Sequence, residues 1–595
     1  MKRVITFTLT LVLLSTLWMR TTNPKAAKAT DAKSIAGLAS ASDAVGLYDT
    51  YEITYQITNN IPVTNDDKTA VEFKATFTGP ANEELILPGF WAGGNEWKLR
   101  FAPISLGEWT WVTDSDHQDL DGLTGSLTAV PSDNKGFVIV RDNNPYHFSY
   151  SDGSPYYMWG NTAYMLLEQA LEGPGVSYVY TNPEDPNITH TITTHDWHEF
   201  VDKTGEYGMN KIRFLVTLWN WGANFGHRWY PWEDCTVADP KFTAFNQSYW
   251  EKLDEMVQYM QEKGMVAELL VISDYSNWAP GDPGMYYMTQ ADEERLMKFA
   301  IARYAGYSNV IWTVAQEFYY TERYRLGGRV NNQWARDLGN YMADTDPYRY
   351  GAGRLLSIHN RTQWLFNFPT EDWPTHIDLQ VGPRITPVSY RAHPSLWGNE
   401  SVLRNWGYDK PVVNDEYGYA DNADLSRAGV REAAWGIAVG GGYGTYGEWN
   451  TDFYWDPWAL NTGGLLGFWN DDPSQGDIKI MLDFMQGIDY LSMLHQNSLI
   501  TDKPADVLAY MLAEEGKTYV MYAAEGTGGD FTIQLKKGTY FAWWYDTTTG
   551  NVVQTEPRID LDGDEEVTFV SPTYADDIVL KITVGTRILM PMLQR

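Results

Sequence analysis

NVIWTVAQE at residues 309–317 and KPVVNDE at residues 410–416 decide the reading of this chain. Each is an apolar, β-branched run that ends in a carboxylate, Glu317 in the first and Glu416 in the second. A run such as Val310, Ile311, Trp312, Thr313, Val314 has the character of a strand buried on both faces, and parallel barrel sheet is its commonest setting. In a (β/α)8 barrel the C-terminal strand ends open onto one face, so two glutamates about a hundred residues apart can meet in one cleft.

Working outward, strand-like and helix-like segments alternate, the mark of βα units. Barrel strands are expected at 156–160 (YYMWG), 211–219 (KIRFLVTLW), 265–273, 309–317, 355–360 (LLSIHN), 378–382 (DLQVG), 411–416 and 443–449 (YGTYGEW). Between them lie segments such as QSYWEKLDEMVQYMQEKG and DEERLMKFAIARYAG, whose apolar spacing of three and four residues predicts amphipathic helices around the barrel. Short alternating strands occupy 43–150 and again 505–585, each separated by Gly, Pro, Asn and Asp turns. The expected fold is therefore multidomain: a central (β/α)8 TIM barrel over 151–500, an N-terminal β-sandwich over 43–150, and a small C-terminal all-β domain.

The first residues have a different character. Lys2 and Arg3 precede an apolar stretch from Val4 to Met19, and Ala27-Lys28-Ala29 offers a small-residue cleavage site. Residues 1–29 are expected to be a secretory signal and 30–42 a linker, which places the mature protein in the periplasm or outside the cell. The signal holds Lys2, Arg3, Arg20, Lys25 and Lys28 and no acidic residue, so the net charge of −33 becomes −38 on its removal. Such a field repels nucleic acid and anionic membrane surfaces and argues against both as partners. With Cys235 as the only cysteine, no intrachain disulfide and no thiolate metal cluster can form. The 26 Trp and 39 Tyr supply flat amphipathic rings suited to sugar faces, although a tightly packed β-rich core would use them as well.

A retaining glycosidase needs one carboxylic acid to protonate the leaving oxygen and one carboxylate to attack the anomeric carbon. Glu317 and Glu416 are the natural pair, as acid/base and nucleophile. Asp415 is a rival nucleophile, but strand alternation lets only one of two neighbours face the cleft. Arg213 in the second strand could orient the nucleophile or serve a structural salt bridge. Trp159, Asn161, Trp219, Trp221, His359, Tyr446, Glu448 and Trp449 fall near strand ends, where they could line sugar subsites or simply pack. His195 and His198 lie three apart on an expected helix with His190 nearby, yet no HExxH accompanies them, so no metal and no cofactor is expected. A serine hydrolase is disfavoured by the lack of a GxSxG elbow.

SNVIWTVAQEF resembles the fourth strand of clan A glycoside hydrolases, and KPVVNDEYGY resembles their nucleophile strand. More specifically, GNTAY at 160–164, NKIRF, the two glutamate strands and GGGYGTYGEWN at 440–450 follow the order of the apiosidase-like group of glycoside hydrolases. The front module, with VEFKATFTGP and LGEWTW, is similar to the β-sandwich that often precedes such barrels. The rear module, with YFAWWYDTTTGNV and SPTYADDIVLKI, resembles a small β domain described as collagen-binding. The resemblance implies Glu317 as acid/base, favours Glu416 over Asp415 as nucleophile, and implies an O-glycosidase acting on plant or algal poly- or oligosaccharide. One departure is Gln316, which stands where the clan usually has Asn before the acid/base. The competing expectation is a non-catalytic carbohydrate-binding or adhesion protein on a degenerate barrel. A polysaccharide lyase would want a basic site that this acidic chain does not suggest.

Overall fold

The eight strands that carry the site are β1 (Trp159–Thr162), β2 (Lys211–Leu215), β3 (Val266–Ile272), β4 (Val310–Ala315), β5 (Leu356–Ser357), β6 (Ile377–Leu379), β7 (Val412–Asn414) and β8 (Tyr443–Tyr446). They form one parallel sheet in the order β5-β4-β3-β2-β1-β8-β7-β6. An isolated parallel bridge between Asn360 and Leu379 joins its two edges, so the sheet closes as a barrel. This is the TIM barrel, flanked by β modules, that the sequence predicts. The computed structural model describes residues 43–58, 71–181, 189–217, 229–233, 241–242, 244–272, 288–318, 330–360, 364–383, 386, 388–418, 425–447 and 472–585.

Burial explains why the strand runs are continuous rather than alternating. Every residue of β3 and β4 is buried, because one face meets the surrounding helices and the other fills the barrel. The helices begin where their caps predict: Asn246 accepts from Tyr249 N at the head of Gln247–Glu262, and Thr289 and Asp292 form a capping box at Gln290–Tyr304. β1 starts later than the expected 156–160. The Asn210 side chain accepts from Trp159 N at 3.1 Å and donates to Tyr157 O at 2.8 Å, giving this stretch the pairing it would otherwise seek in a strand.

The N-terminal module packs a five-stranded sheet on a three-stranded one. Phe77 of Phe73–Thr78 stacks on Phe101 of Glu96–Phe101 across the gap, with ring centroids 4.2 Å apart. Its Arg100 forks onto Asp254 of a barrel helix at 2.9 and 2.6 Å, and Arg303 of the next helix binds the same carboxylate. At the other end, the β module contributes Asp577 to Arg431 of barrel helix Arg427–Val439, and Tyr522 stacks on Trp435 of that helix. Pairing in this last module already begins at Leu494–His495 and Ile500–Asp502. Among the described residues, no helix is long and apolar enough to cross a membrane.

Candidate active site

β4 ends at Ala315 and β7 at Asn414, and in each case the glutamate is the second residue beyond the strand. Glu317 is 2% and Glu416 8% exposed, so each carboxyl group reaches only a sliver of solvent. Glu317 adopts φ 45°, a left-handed conformation uncommon for a residue with a Cβ. Gln380, the residue after β6, donates from Nε2 to Glu317 Oε1 at 2.8 Å.

Tyr164, two residues past β1, organises the other side. Its hydroxyl donates to Glu416 Oε2 at 2.8 Å and accepts from Gln316 Nε2 at 2.8 Å and Arg213 Nη1 at 3.3 Å. Burial raises the Tyr164 phenol well above its ordinary value, and the charges of both Glu416 and Glu317 push it the same way, against Arg213. The phenol therefore stays protonated and donating.

Arg213 is wholly buried and crosses this network, donating to Gln316 Oε1 at 2.6 Å and to the Asp415 carbonyl at 2.7 Å, with Nη1 3.8 Å from Glu416 Oε2. Gln316 thus spends its amide oxygen on Arg213 and one amide hydrogen on Tyr164. His359, after β5, is fully buried with Nε2 4.0 Å from Glu416 Oε2.

Asp415, the neighbour of Glu416, turns into the barrel interior. Lys211 Nζ lies 2.6 Å from Asp415 Oδ1 and 2.6 Å from Glu268 Oε2, and Thr445 donates to the same Asp415 oxygen. Burial opposes its charge, yet Lys211 and Arg213 hold its carboxyl below the usual carboxylate range. Gly160 makes this possible, since a Cβ there would come within 2.7 Å of Lys211 Cε. Asp378 of β6 completes the layer with both carboxylate oxygens lacking a hydrogen-bond partner among the described residues. Burial, then the charges of Asp415 and Glu268, raise its carboxyl well above the ordinary value. Oxygens of Glu268, Asp378 and Asp415 lie within 4.8 Å of one another, a spacing that could hold a cation. Lys211 already supplies one to two of the three.

The structure therefore gathers Glu317, Glu416, Arg213, Gln316 and His359. It does not bring Tyr446 into that cluster: its hydroxyl is 3.3 Å from Ser474 Oγ at the start of helix Pro473–Gln486. Asn161 donates to Thr204 at 3.3 Å, away from the glutamates, and Trp159 is wholly buried within the barrel wall. Trp219, Trp221, Glu448 and Trp449 lie outside the described residues. His198 binds Asp196 at 2.6 Å and stacks on Trp197. Sequence reading missed Tyr164, Gln380 and Lys211 as parts of the site; Tyr164 closes the quoted GNTAY motif, which was the available signal.

The fold is a closed parallel barrel with buried glutamates just past its fourth and seventh strands, and it is a fold shared with glycoside hydrolases. The sequence matches the family described as apiosidase-like, catalytic domain, over residues 187–490, and the chain belongs to that family. Residues 44–116 match a domain of unknown function, DUF5060. A candidate glycoside hydrolase from Bacteroides vulgatus ATCC 8482 has a similar structure, with TM-score 0.69 and 22% identity, covering 91% of this chain and 100% of that one. A glycoside hydrolase family 5 protein of the same organism has TM-score 0.56 and 15% identity over 76% of this chain and 93% of its own. A further structure, named only as a glycoside hydrolase, has TM-score 0.55 and 16% identity, covering 76% and 97%. At these identities the likeness is one of fold. No curated protein sequence matches the chain. Family and fold together support a glycosidase, and with it a carbohydrate substrate.

Proposed function

We propose that the protein is an exported retaining glycoside hydrolase that cleaves O-glycosidic bonds of plant or algal poly- or oligosaccharides by double displacement. Glu416 attacks the anomeric carbon as Glu317 gives its proton to the departing oxygen; Glu317 then takes a proton from the water that releases the sugar from Glu416. The observation that carries this reading is the matched placement of the two glutamates, each two residues past its strand and both acting on the Tyr164 hydroxyl. Tyr164 donates to Glu416 Oε2 and Arg213 Nη1 lies 3.8 Å from the same oxygen, contacts that fix the carboxyl group in place. Gln380 donates from Nε2 to Glu317 Oε1 and so orients its carboxyl group. Residues 1–29 support export to the periplasm or beyond. A binding protein would need neither carboxylate, so the pair also argues against the non-catalytic alternative.

Defined glycans, with product analysis, identify the substrate. On an aryl glycoside of that sugar, Glu416→Gln should abolish turnover whatever the leaving group. Glu317→Gln should still form the glycosyl-enzyme and accumulate it, and azide, which needs no general base, should restore turnover with a glycosyl azide of retained configuration. Wild-type activity in both variants would sink the assignment.

A further inference from the structure

The barrel face opposite the two glutamates holds a recess of about 330 Å³. Tyr156 and Tyr157, just before β1, and Asn210, just before β2, line it, so it opens at the N-terminal strand ends. Residues from the end of helix Pro473–Gln486 and its exit, Gln486, Asp489 and Tyr490, form the far wall, and Lys135, three residues before the hairpin Val138–Tyr150, and Tyr150 at its end complete the lining. This face of a barrel ordinarily serves stability. Here its floor is incompletely satisfied. Tyr157 and Tyr490 are 5% and 3% exposed, their rings meet edge to face at 4.8 Å, and neither hydroxyl has a hydrogen-bond partner among the described residues. A buried hydroxyl left without a partner is costly, and native folds seldom keep two side by side.

The rim narrows what the partner can be. Lys135, Asp489 and Gln486 are exposed, offering a cation, an anion and an amide with no net charge. Asp489 on the same rim as Lys135 disfavours a phosphate or other anion, and an apolar ligand would leave the charged and amide groups of the rim unmet. A ligand with several neutral hydroxyls and C–H faces suits the polar rim and the tyrosine-lined floor together. The volume is near the lower end of small-molecule sites, which span about 300–1,000 Å³, so it admits a sugar unit rather than a chain. We propose that this recess is a second carbohydrate site, holding a free monosaccharide or a terminal sugar unit on the barrel face away from the cleavage cleft. The glycosidase reading supplies the source of that sugar and is not required for the binding itself.

Saturation-transfer NMR and calorimetry on the full chain, carried in the Glu416→Gln background, would test it with xylose, arabinose, galactose, glucose and rhamnose. Tyr490→Phe removes one hydroxyl and keeps the ring; Lys135→Ala alters only the rim. At least one sugar should bind saturably and lose about tenfold in affinity in the double variant, while the same two substitutions in the wild-type background leave glycan turnover unchanged. No binding, or binding insensitive to both substitutions, overturns the proposal. A chain that binds in the recess but cleaves no glycan keeps this site and removes the glycosidase reading; cleavage with insensitive binding does the reverse.

Discussion

Glu317 holds its side chain on a backbone that the residue type does not favour. At φ 45° the Cβ crowds the neighbouring carbonyl, at a cost of about 1 kcal/mol that glycine would not incur. Glu317→Gly and Glu317→Ala both remove the carboxyl group, and only the second keeps the Cβ. Urea unfolding should find Glu317→Gly the more stable of the two by about 1 kcal/mol, and equal midpoints would show that the strain is absent. Tyr164 gives a second single-residue test. Tyr164→Phe deletes the bond to Glu416 and leaves Gln316 Nε2 without its acceptor, so kcat should fall about 10- to 100-fold with KM little changed. A loss confined to KM would make Tyr164 a substrate contact instead.

At the scale of strands, β3, β4 and β7 were legible because burial on both faces leaves short runs that are apolar apart from Glu268, Thr313 and Asn414, and a glutamate follows two residues after β4 and β7. β1 was less so, because a side chain from another segment, Asn210, supplies part of its pairing. The alliance of Gln316 with Arg213 and Tyr164 was not readable: three strand ends meet there, and sequence gives no distance between them. The extra length of Gln316 over Asn has a physical use, since its amide reaches both Arg213 and Tyr164. Asp378 on β6 was invisible for the same reason, and it yields a test. Its folded-state carboxyl titrates well above the ordinary value, so its contribution to stability is full below the unfolded pKa and declines as pH rises toward the folded one. Each pH unit in that window removes up to about 1.4 kcal/mol. Asp378→Asn, shaped like the protonated acid, escapes that loss. Its melting temperature should match wild type near pH 4 and exceed it increasingly toward neutrality; a constant difference across pH would refute the account.

Across the whole molecule, the three units are tied by charged side chains buried at their junctions. Asp254 receives Arg100 from the N-terminal module and Arg303 from the barrel, and Arg431 binds Asp477 of the barrel as well as Asp577 of the C-terminal module. The barrel itself is least secure where its sheet edges meet. β5 has two residues and β6 three, and among the described residues one isolated bridge spans them, with Thr375 N donating to Leu356 O and Ser357 Oγ to His376 O below it. Heat or denaturant should part that seam first, and amide hydrogen exchange should be fastest there among the barrel strands. The partner of the proposed acid lies directly beside it, because Gln380 N donates to Asn360 O at 3.0 Å while Gln380 Nε2 holds Glu317. The enzyme would then lose its catalyst before its shape: activity should fade several degrees below the calorimetric transition and return fully on cooling, as in a clasp that springs open while the band stays whole.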